Sequence, residues 1–171
     1  MNELQHLDLP SPVGIIEIAG DAESIHSILF TDRSEPEHLL AAETPEPLKQ
    51  CARQLKEYFK GERTEFDLPL HSIGTSFQQQ VWQALMEVEY AKTASYKDIA
   101  VSIGRDKAVR AVGSANSKNK LTIVVPCHRI IGSNGTLTGY AGTLERKEWL
   151  LAHEQAVRER QANLTETISQ S

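Results

Sequence analysis

The four residues Pro126-Cys127-His128-Arg129 carry the side chains in this sequence that are best suited to covalent chemistry. A cysteine is a strong, soft nucleophile once it is deprotonated, and neighbouring cationic or hydrogen-bonding groups favour the deprotonated form. His128 and Arg129 can supply such groups. The motif predicts a nucleophilic cysteine, with a buried inert cysteine as the alternative if the motif is considered alone.

The residues before this motif predict how the cysteine is presented. Residues 121–125 form a short, continuous apolar run, which is typical of a strand buried on both faces. Pro126 fixes its own φ and stops strand pairing, so we expect Cys127 to lie where that strand ends. Adjacent side chains of an extended chain point to opposite faces. We therefore expect a water molecule, rather than a direct contact, to join Cys127 to His128.

Two helices joined by a short turn are predicted shortly before the cysteine. Ser95-Tyr96-Lys97-Asp98 fits a capping box at the start of the first helix, and Gly104 can adopt the left-handed conformation that ends it. Asp106 is placed to cap the second helix. This is the helix-turn-helix pattern, which also occurs in ordinary helical hairpins.

The second of these helices has an apolar face and a polar face. We expect the inward-facing residues to be Ala108, Ala111, Val112 and Ala115. The opposite face carries Arg110, Ser114 and Ser117 at helical spacing. Small polar residues let a helix lie close against a nucleic-acid groove, and Arg110 would project from that surface.

The first third of the chain predicts a small α/β unit. The expected elements are strands over 13–19 and 25–31, a helix over 45–59 and an edge strand over 64–70. Cys51 lies on the apolar stripe of the helix, so we interpret it as a core residue. Residues 71–75 are the expected domain junction, and Ser76 can cap the next helix. From Gln155 onward the apolar period is lost, and we expect this segment to fray.

Composition limits the classes of protein to consider. The chain has 171 residues, of which 40% are hydrophobic, and a net charge of −5. The negative net charge argues against a protein that coats nucleic acid through charge alone. No apolar run approaches the ~20 residues of a membrane-spanning helix, and the N-terminus lacks signal-peptide features. Two cysteines cannot form a disulfide scaffold, so we expect a cytoplasmic protein.

Positive charge is concentrated in one part of this acidic chain. Between Val88 and Ile130 there are eight lysine or arginine residues and only three acidic residues. Such an island predicts one face that binds an anionic partner. The sequence shows no dimerisation seam, and we expect a monomer.

Further motifs surround the cysteine in a fixed order. In chain order, the motifs are Ser95-Tyr96, Arg110-Ala111-Val112-Gly113, Asn119, Pro126-Cys127-His128-Arg129, Thr138-Gly139-Tyr140-Ala141-Gly142 and Lys147-Glu148-Trp149-Leu150-Leu151-Ala152-His153-Glu154. This constellation resembles the O6-alkylguanine-DNA alkyltransferases, also called methylated-DNA–protein-cysteine methyltransferases. The resemblance covers about residues 74–154.

The resemblance implies an α/β (α+β) fold. A small, ribonuclease-H-like antiparallel sheet with a helix would precede a mainly helical domain that contains the helix-turn-helix. We accordingly divide the chain into an N-terminal domain (1–73), an alkyltransferase domain (74–157) and a polar tail (158–171).

The resemblance also implies a single-turnover reaction in which Cys127 takes the alkyl group from O6 of guanine in double-stranded DNA and keeps it. His128 would act as a base through a water molecule, Glu154 would orient it, and Asn119 would brace the turn that presents the cysteine. Tyr96 would lie beside the extruded nucleotide and protonate the leaving purine. We expect this relay to hold Cys127 partly as thiolate near neutral pH, with a pKa below the ~8.5 of a free thiol.

Two further groups of residues are implied by the resemblance. The residues that would contact DNA are Arg110, Ser95, Tyr96, Ser114, Lys107 and Arg129. The residues that would form the base pocket are Ile130, Tyr140, Ala141 and Gly142. Arg110 would fill the gap left in the base stack, and backbone groups of Cys127 and Ile130 would read the guanine edge.

No metal or organic cofactor is required for this reaction. Some members of the family hold zinc in the N-terminal domain. Here Cys51 is the only thiol in that region, so we predict no zinc site. O4-alkylthymine is a second candidate substrate that the sequence leaves open.

Three other functions fit parts of the pattern. An alkyltransferase-like protein would bind lesions without repairing them, but such proteins carry tryptophan in place of the cysteine. A helix-turn-helix transcription regulator would need base-reading side chains, and Ser114 and Ser117 are poor readers. A cysteine hydrolase is disfavoured because Cys127 and His128 are adjacent in the chain.

Overall fold

A three-stranded antiparallel sheet forms the start of the chain in the computed structural model, which describes residues 3–135, 140 and 142–170, the side chains of 166–170 excepted. In spatial order, the strands are β1 (Gln5–Ser11), β2 (Gly14–Gly20) and β3 (Ile25–Phe30). The β1–β2 register pairs Leu7 with Ile18 and Leu9 with Ile16. Because side chains alternate along a strand, these four residues line one buried face.

Helix α1 (Glu46–Phe59) packs on this sheet through an apolar stripe. The fully buried residues of the stripe are Leu48, Cys51, Leu55 and Tyr58. Burial raises the pKa of the Cys51 thiol to about 12, which leaves it protonated and unreactive. The interpretation of Cys51 as a core residue is confirmed.

The rest of the chain is mainly helical. In chain order, its elements are α2 (Ser76–Leu85), β4 (Ala94–Ser95), α3 (Tyr96–Ser102), α4 (Val109–Ser117), β5 (Ile130–Ile131) and α5 (Leu144–Gln170). β4 and β5 form a short parallel pair. The fold is α+β, with the sheet in the first part of the chain and the helices concentrated in the second, as predicted.

The helix-turn-helix consists of α3 and α4. Ser95 Oγ accepts the Asp98 N–H, and the Asp98 carboxylate accepts the Ser95 N–H, so the predicted capping box is present. Gly104 has a φ of +75°, the left-handed conformation that a side chain with a Cβ disfavours. The turn therefore depends on this glycine.

The starts of two helices differ from the prediction. α2 is capped by Thr75, whose hydroxyl accepts the Gln78 N–H, and not by Ser76. α4 begins at Val109, and its N-cap residue Ala108 supplies no side-chain acceptor, so Asp106 does not cap it. The helix phase buries Val112, Ala115 and Asn116 and leaves Ala111 exposed, contrary to the predicted inward orientation of Ala111.

The predicted strands over 64–70 and 121–125 do not form as regular strands. Each segment makes a single parallel bridge to β3, Leu70 with Ile25 and Leu121 with Ile28. Residues 121–125 are buried, as predicted, but they close into a turn in which Ile123 has a φ of +69°. A β-branched residue at positive φ is strained, at a cost of about 1–3 kcal/mol. Apolar character predicted the burial of this segment but not its conformation.

Helix α5 corrects the prediction of a frayed C-terminal segment, because it continues through Gln170. Leu150 and Val157 are buried along its first half, whereas residues 158–165 are exposed. Good helix formers such as Ala, Arg, Glu and Gln allow the packed part to propagate into solvent. Among the described residues, no helix combines the length and apolar character needed to cross a bilayer.

The boundary between the two predicted domains stays a prediction. The buried apolar cluster runs from Leu7 in β1 to Val157 in α5, so both parts of the chain contribute to a common core.

Candidate active site

Cys127 opens a single 3₁₀ turn, Cys127–Arg129, that connects the 121–125 turn to β5. Its side chain is fully buried. In a 3₁₀ turn successive side chains point about 120° apart, so the extended geometry that we predicted for Cys127 and His128 is wrong.

The amide of Asn119 spans the turn that leads to the cysteine. Its Oδ1 accepts the Leu121 N–H at 2.9 Å, and its Nδ2 donates to the Val125 carbonyl at 3.0 Å. Nδ2 also lies 3.1 Å from the Cys127 sulfur. Asn119 therefore joins both ends of the turn to the thiol, at the position where the family resemblance implies a brace.

His128 and Glu154 form a fully buried pair. The distance from His128 Nε2 to Glu154 Oε2 is 2.7 Å. A carboxylate at this distance favours the tautomer with the proton on Nε2. The other ring nitrogen, Nδ1, is buried and has no hydrogen-bond partner in the described part of the chain. Nδ1 is thus the atom of this ring that can accept a proton, and the water molecule that we expect beside it stays a prediction.

Glu154 is the centre of a buried hydrogen-bond network. Besides His128, it accepts hydrogen bonds from the Tyr58 hydroxyl at 2.6 Å, the Ala91 N–H at 3.1 Å and Arg129 Nε at 2.9 Å. Burial acts to raise the pKa of Glu154, but the hydrogen bonds and charges of His128 and Arg129 outweigh it and lower the pKa. The carboxylate is consequently ionised at neutral pH.

His128 is neutral at the same pH. Burial lowers the pKa of its imidazole, although Glu154 acts in the opposite direction. A neutral ring backed by a carboxylate can take up a proton, because the carboxylate stabilises the imidazolium that results.

The Cys127 thiol is protonated in the resting protein, contrary to the predicted partial thiolate. Burial raises its pKa to about 11, while Asn119 and Lys147 act to lower it. Lys147 is fully buried, its ammonium group donates to the Ile130 carbonyl, and burial lowers its pKa to about 8. The exclusion of water from this site, which the sequence does not show, outweighs the nearby groups that favour a thiolate.

Arg129 is the one predicted DNA-contacting residue that lies inside the protein. It is only 6% exposed, and its guanidinium donates to Glu154 and, at 2.8 Å, to the Val88 carbonyl. A buried carboxylate needs a counter-charge, and Arg129 supplies it. We therefore correct the predicted DNA contact of Arg129 to an internal ion pair.

The other predicted DNA-contacting residues are distributed around the helix-turn-helix. Lys107, Arg110 and Ser114 are exposed, and Ser95 and Tyr96 are half-buried. The Ser95 hydroxyl oxygen already accepts the capping hydrogen bond of α3. Their roles toward DNA stay predictions.

Three of the four predicted base-pocket residues fall within the described chain, and Ala141 lies outside it. Ile130 is fully buried, and its N–H donates to the Cys127 carbonyl. A Cβ at Gly142 would lie 2.8 Å from the rings of Phe30 and Tyr140, so only glycine fits there. These contacts place Tyr140 and Gly142 side by side against β3.

Sequence reasoning missed two residues of the site. Tyr58 continues the buried stripe of α1, and a buried tyrosine hydroxyl usually has a hydrogen-bond partner, which was the available signal. Lys147 lies in the recognised helix motif, but nothing in its neighbours indicates that a lysine there is fully buried.

Removal of the Tyr58 hydroxyl tests the network around Glu154. We expect Tyr58→Phe to lower the free energy of unfolding by about 1.5–3 kcal/mol, because a buried charged acceptor loses its donor. Tyr90→Phe is the matched control. The Tyr90 hydroxyl is also buried but has no partner among the described residues, so its loss should cost little. Equal destabilisation of the two variants in urea unfolding would contradict this account.

Two family profiles match the chain in sequence. Residues 9–72 match the ribonuclease-like domain, and residues 76–156 match the DNA binding domain, of 6-O-methylguanine DNA methyltransferase.

Proteins with curated names are similar over most of their length. A methylated-DNA–protein-cysteine methyltransferase of Methanosarcina barkeri is 45% identical over 149 residues, which is 86% of this chain and 94% of that protein. A constitutive enzyme of the same name from Bacillus subtilis is 45% identical over 152 residues, 85% of this chain and 92% of that protein.

Solved structures agree with these similarities. O6-methylguanine methyltransferase of Mycobacterium tuberculosis has a TM-score of 0.80 at 40% identity, over 90% of this chain and 94% of that chain. A structure of OGT from the same organism in complex with DNA has a TM-score of 0.79 at 41% identity, with the same coverage. Because both parts of the chain match one family, the chain belongs to the 6-O-methylguanine DNA methyltransferase family.

Proposed function

We propose that this protein repairs DNA by transferring an alkyl group from O6 of guanine in double-stranded DNA to the sulfur of Cys127, where the group remains. The observation that carries the proposal is the fully buried Cys127 thiol in the same 3₁₀ turn as His128, which is paired with Glu154, in a chain of this family. The proposal includes a monomeric protein in the cytoplasm. O4-alkylthymine is a second substrate to test.

The proposed step breaks one carbon–oxygen bond and forms one carbon–sulfur bond. The Cys127 sulfur attacks the alkyl carbon, its proton passes to His128 Nδ1 through a water molecule, and the electron pair of the broken bond stays on the purine. Tyr96 is the proposed donor of the proton that neutralises the leaving purine. Tyr96 then regains a proton from solvent, and the imidazolium of His128 releases one to it. Because a thiolate is a poor leaving group from an alkyl carbon and water is a weak nucleophile, the thioether is stable and the protein does not turn over.

The protonated state of Cys127 supports a coupled proton transfer. With a thiol pKa of about 11, little thiolate is present at neutral pH. We therefore propose that the proton leaves as the carbon–sulfur bond forms, and the neutral His128 is suited to receive it. A thiol that stays protonated until substrate enters is also protected against oxidation and unwanted alkylation.

The exposed surface of the helix-turn-helix is the proposed DNA-binding face. Lys107 and Arg110 carry positive charge there, and Ser114 leaves room for a close approach to the duplex. The target base is hidden inside the duplex, so it must be flipped out at a cost of a few kcal/mol. Arg110 is proposed to occupy the space that the flipped base leaves.

The experiment that tests the proposal measures how many methyl groups one molecule accepts. We expect transfer from radiolabelled methylated duplex DNA to reach a plateau at one group per protein molecule. Sustained release of product would contradict the proposal and would indicate a hydrolase. DNA binding without any transfer would also contradict it and would indicate a lesion-binding protein or a transcription regulator.

Replacement of Arg110 tests the proposed base flipping. We expect Arg110→Ala to slow repair of duplex DNA at least about tenfold, the equivalent of 1.4 kcal/mol, because the gap in the base stack is no longer filled. Reaction with free O6-benzylguanine should change little. Arg105→Ala, which removes another exposed arginine near the turn, is the control for lost charge. Equal losses on both substrates would instead indicate a defect of the pocket.

A further inference from the structure

A second group of titratable side chains lies on the N-terminal sheet, outside the site around Cys127. His6 in β1 and Glu17 in β2 belong to the sheet, and His38 lies in the loop after β3. Their ligand atoms all lie within 4.8 Å of one another. We propose that His6, Glu17 and His38 bind a zinc ion.

The strand register explains why these groups meet. Leu7 and Leu9 of β1 face the core, so His6 and Asp8 point to the other face of the sheet. Asp8 pairs directly with Glu17 across the β1–β2 ladder, which puts Glu17 on that same face. The site is thus built on two hydrogen-bonded strands.

The two distances from Glu17 to the histidines are close to those of a tetrahedral zinc site. Zinc–nitrogen and zinc–oxygen bonds of about 2.0–2.1 Å place neighbouring ligand atoms roughly 3.3 Å apart in a tetrahedron. His38 Nε2 lies 3.2 Å from Glu17 Oε1, and His6 Nδ1 lies 3.7 Å from the same oxygen. Two histidines and one carboxylate are a common zinc ligand set, and a water molecule would complete it.

The loop that carries His38 is held against β1 by hydrogen bonds to the side chain and backbone of Asp8. The Asp8 carboxylate accepts the Glu37 N–H at 2.8 Å and the His38 N–H at 3.0 Å, and the Asp8 N–H donates to the His38 carbonyl at 2.8 Å. The His6 and His38 rings are stacked with centroids 5.1 Å apart. The ligands are therefore positioned before a metal binds, which reduces the entropy lost on binding.

The local charge also favours a divalent cation. Three carboxylates, those of Asp8, Glu17 and Glu37, share one guanidinium, that of Arg33. Arg33 contacts Asp8 at 2.8 Å and Glu37 at 2.9 Å, but it lies 3.6 Å from Glu17 Oε1, beyond hydrogen-bonding distance. Zinc would balance the remaining negative charge of this group.

This proposal replaces the prediction of no zinc site in the N-terminal part of the chain. That prediction considered thiol ligands, of which Cys51 is the only one there and is buried in the core. The proposed site contains no sulfur. Its metal would join β1, β2 and the His38 loop.

Titration of the metal-free full-length protein with zinc, followed by calorimetry and by thermal unfolding, tests the proposal. We expect one bound zinc ion and a melting temperature that rises with zinc concentration. His6→Ala and His38→Ala should each weaken binding at least about tenfold. His26→Ala, which removes a half-buried histidine near Asp21 on the same sheet, should bind zinc as the wild type does.

Titration with cobalt in place of zinc is a second, independent test. Its absorption spectrum reports tetrahedral coordination, and we expect Glu17→Gln to abolish that signal while the apo protein keeps its melting temperature. Cys127→Ser should bind zinc normally. The proposal would be overturned if the protein did not bind zinc, or bound it only at millimolar concentration. It would also be overturned if both His6→Ala and His38→Ala kept the wild-type affinity, or if His26→Ala or Cys127→Ser lost binding. These measurements do not depend on alkyl transfer.

Discussion

Replacement of Cys127 with serine is expected to abolish alkyl transfer and to leave the binding of lesion-containing DNA close to that of the wild type. An alcohol is a far weaker nucleophile toward an alkyl carbon than a thiol that loses its proton to a base. The serine hydroxyl can keep the contact that Asn119 makes with the sulfur at 3.1 Å, so the local structure should survive. Transfer is measured with radiolabelled DNA, and binding by fluorescence anisotropy.

The second buried cysteine provides the matched control. Cys51→Ala removes a thiol of similar burial from α1, and we expect normal transfer per molecule of folded protein. If Cys127→Ser retained transfer and Cys51→Ala lost it, Cys51 and not Cys127 would be the residue that accepts the alkyl group. If Cys127→Ser lost both its folded structure and its DNA binding, the role of Cys127 would be structural instead.

Glu154→Gln is expected to have the largest effect on stability together with a large effect on rate. The substitution leaves the Arg129 guanidinium, which is 6% exposed, without its counter-charge. Breaking a buried pair in this way costs about 3–5 kcal/mol of the free energy of unfolding. Without the carboxylate, the imidazolium of His128 is no longer stabilised, and we expect transfer at pH 7 to slow by about 10²-fold or more.

High pH should partly rescue this variant. The Cys127 pKa is about 11, so the thiolate fraction rises about tenfold per pH unit below that value. Transfer by Glu154→Gln should accordingly accelerate between about pH 7 and pH 9, whereas the wild type, with His128 already neutral, should change little. Wild-type rates in Glu154→Gln across this range would remove Glu154 from the mechanism.

The free energy of unfolding of the wild type should fall more steeply with decreasing pH than that of Glu154→Gln. The folded pKa of Glu154 lies below the value of about 4.3 of an unfolded glutamate, so acid protonates the unfolded state first. The stabilisation by Glu154 is therefore complete above about pH 5 and is lost as the pH falls toward the lowered folded pKa. Glu148→Gln, an exposed position on the same helix, is the control for a change of charge alone.

Residue types and spacing predict several local features of the fold, and the family resemblance predicts the relay of the site. The capping box of Ser95 and Asp98, the left-handed Gly104 and the core position of Cys51 follow from local rules, and the structure has all three. The family resemblance implies a relay of His128 and Glu154, and the structure has His128 Nε2 2.7 Å from Glu154 Oε2.

The remainder depends on tertiary contacts that no local pattern encodes. The apolar run 121–125 has the residues of a strand, but its hydrogen bonds close a turn braced by Asn119. Arg129 has the residue type of a phosphate contact, but the buried Glu154 carboxylate holds it inside. The thiol pKa of Cys127 depends on how much water the fold excludes, which only the three-dimensional structure reveals.

The location of the transferred group tests the central claim most directly. After reaction with methylated duplex DNA, the protein is digested and its peptides are analysed by mass spectrometry. The account predicts the added mass of one methyl group on the sulfur of Cys127 and unmodified Cys51 in the same molecules. A methyl group on any other residue, or repaired DNA with an unmodified Cys127, would contradict it.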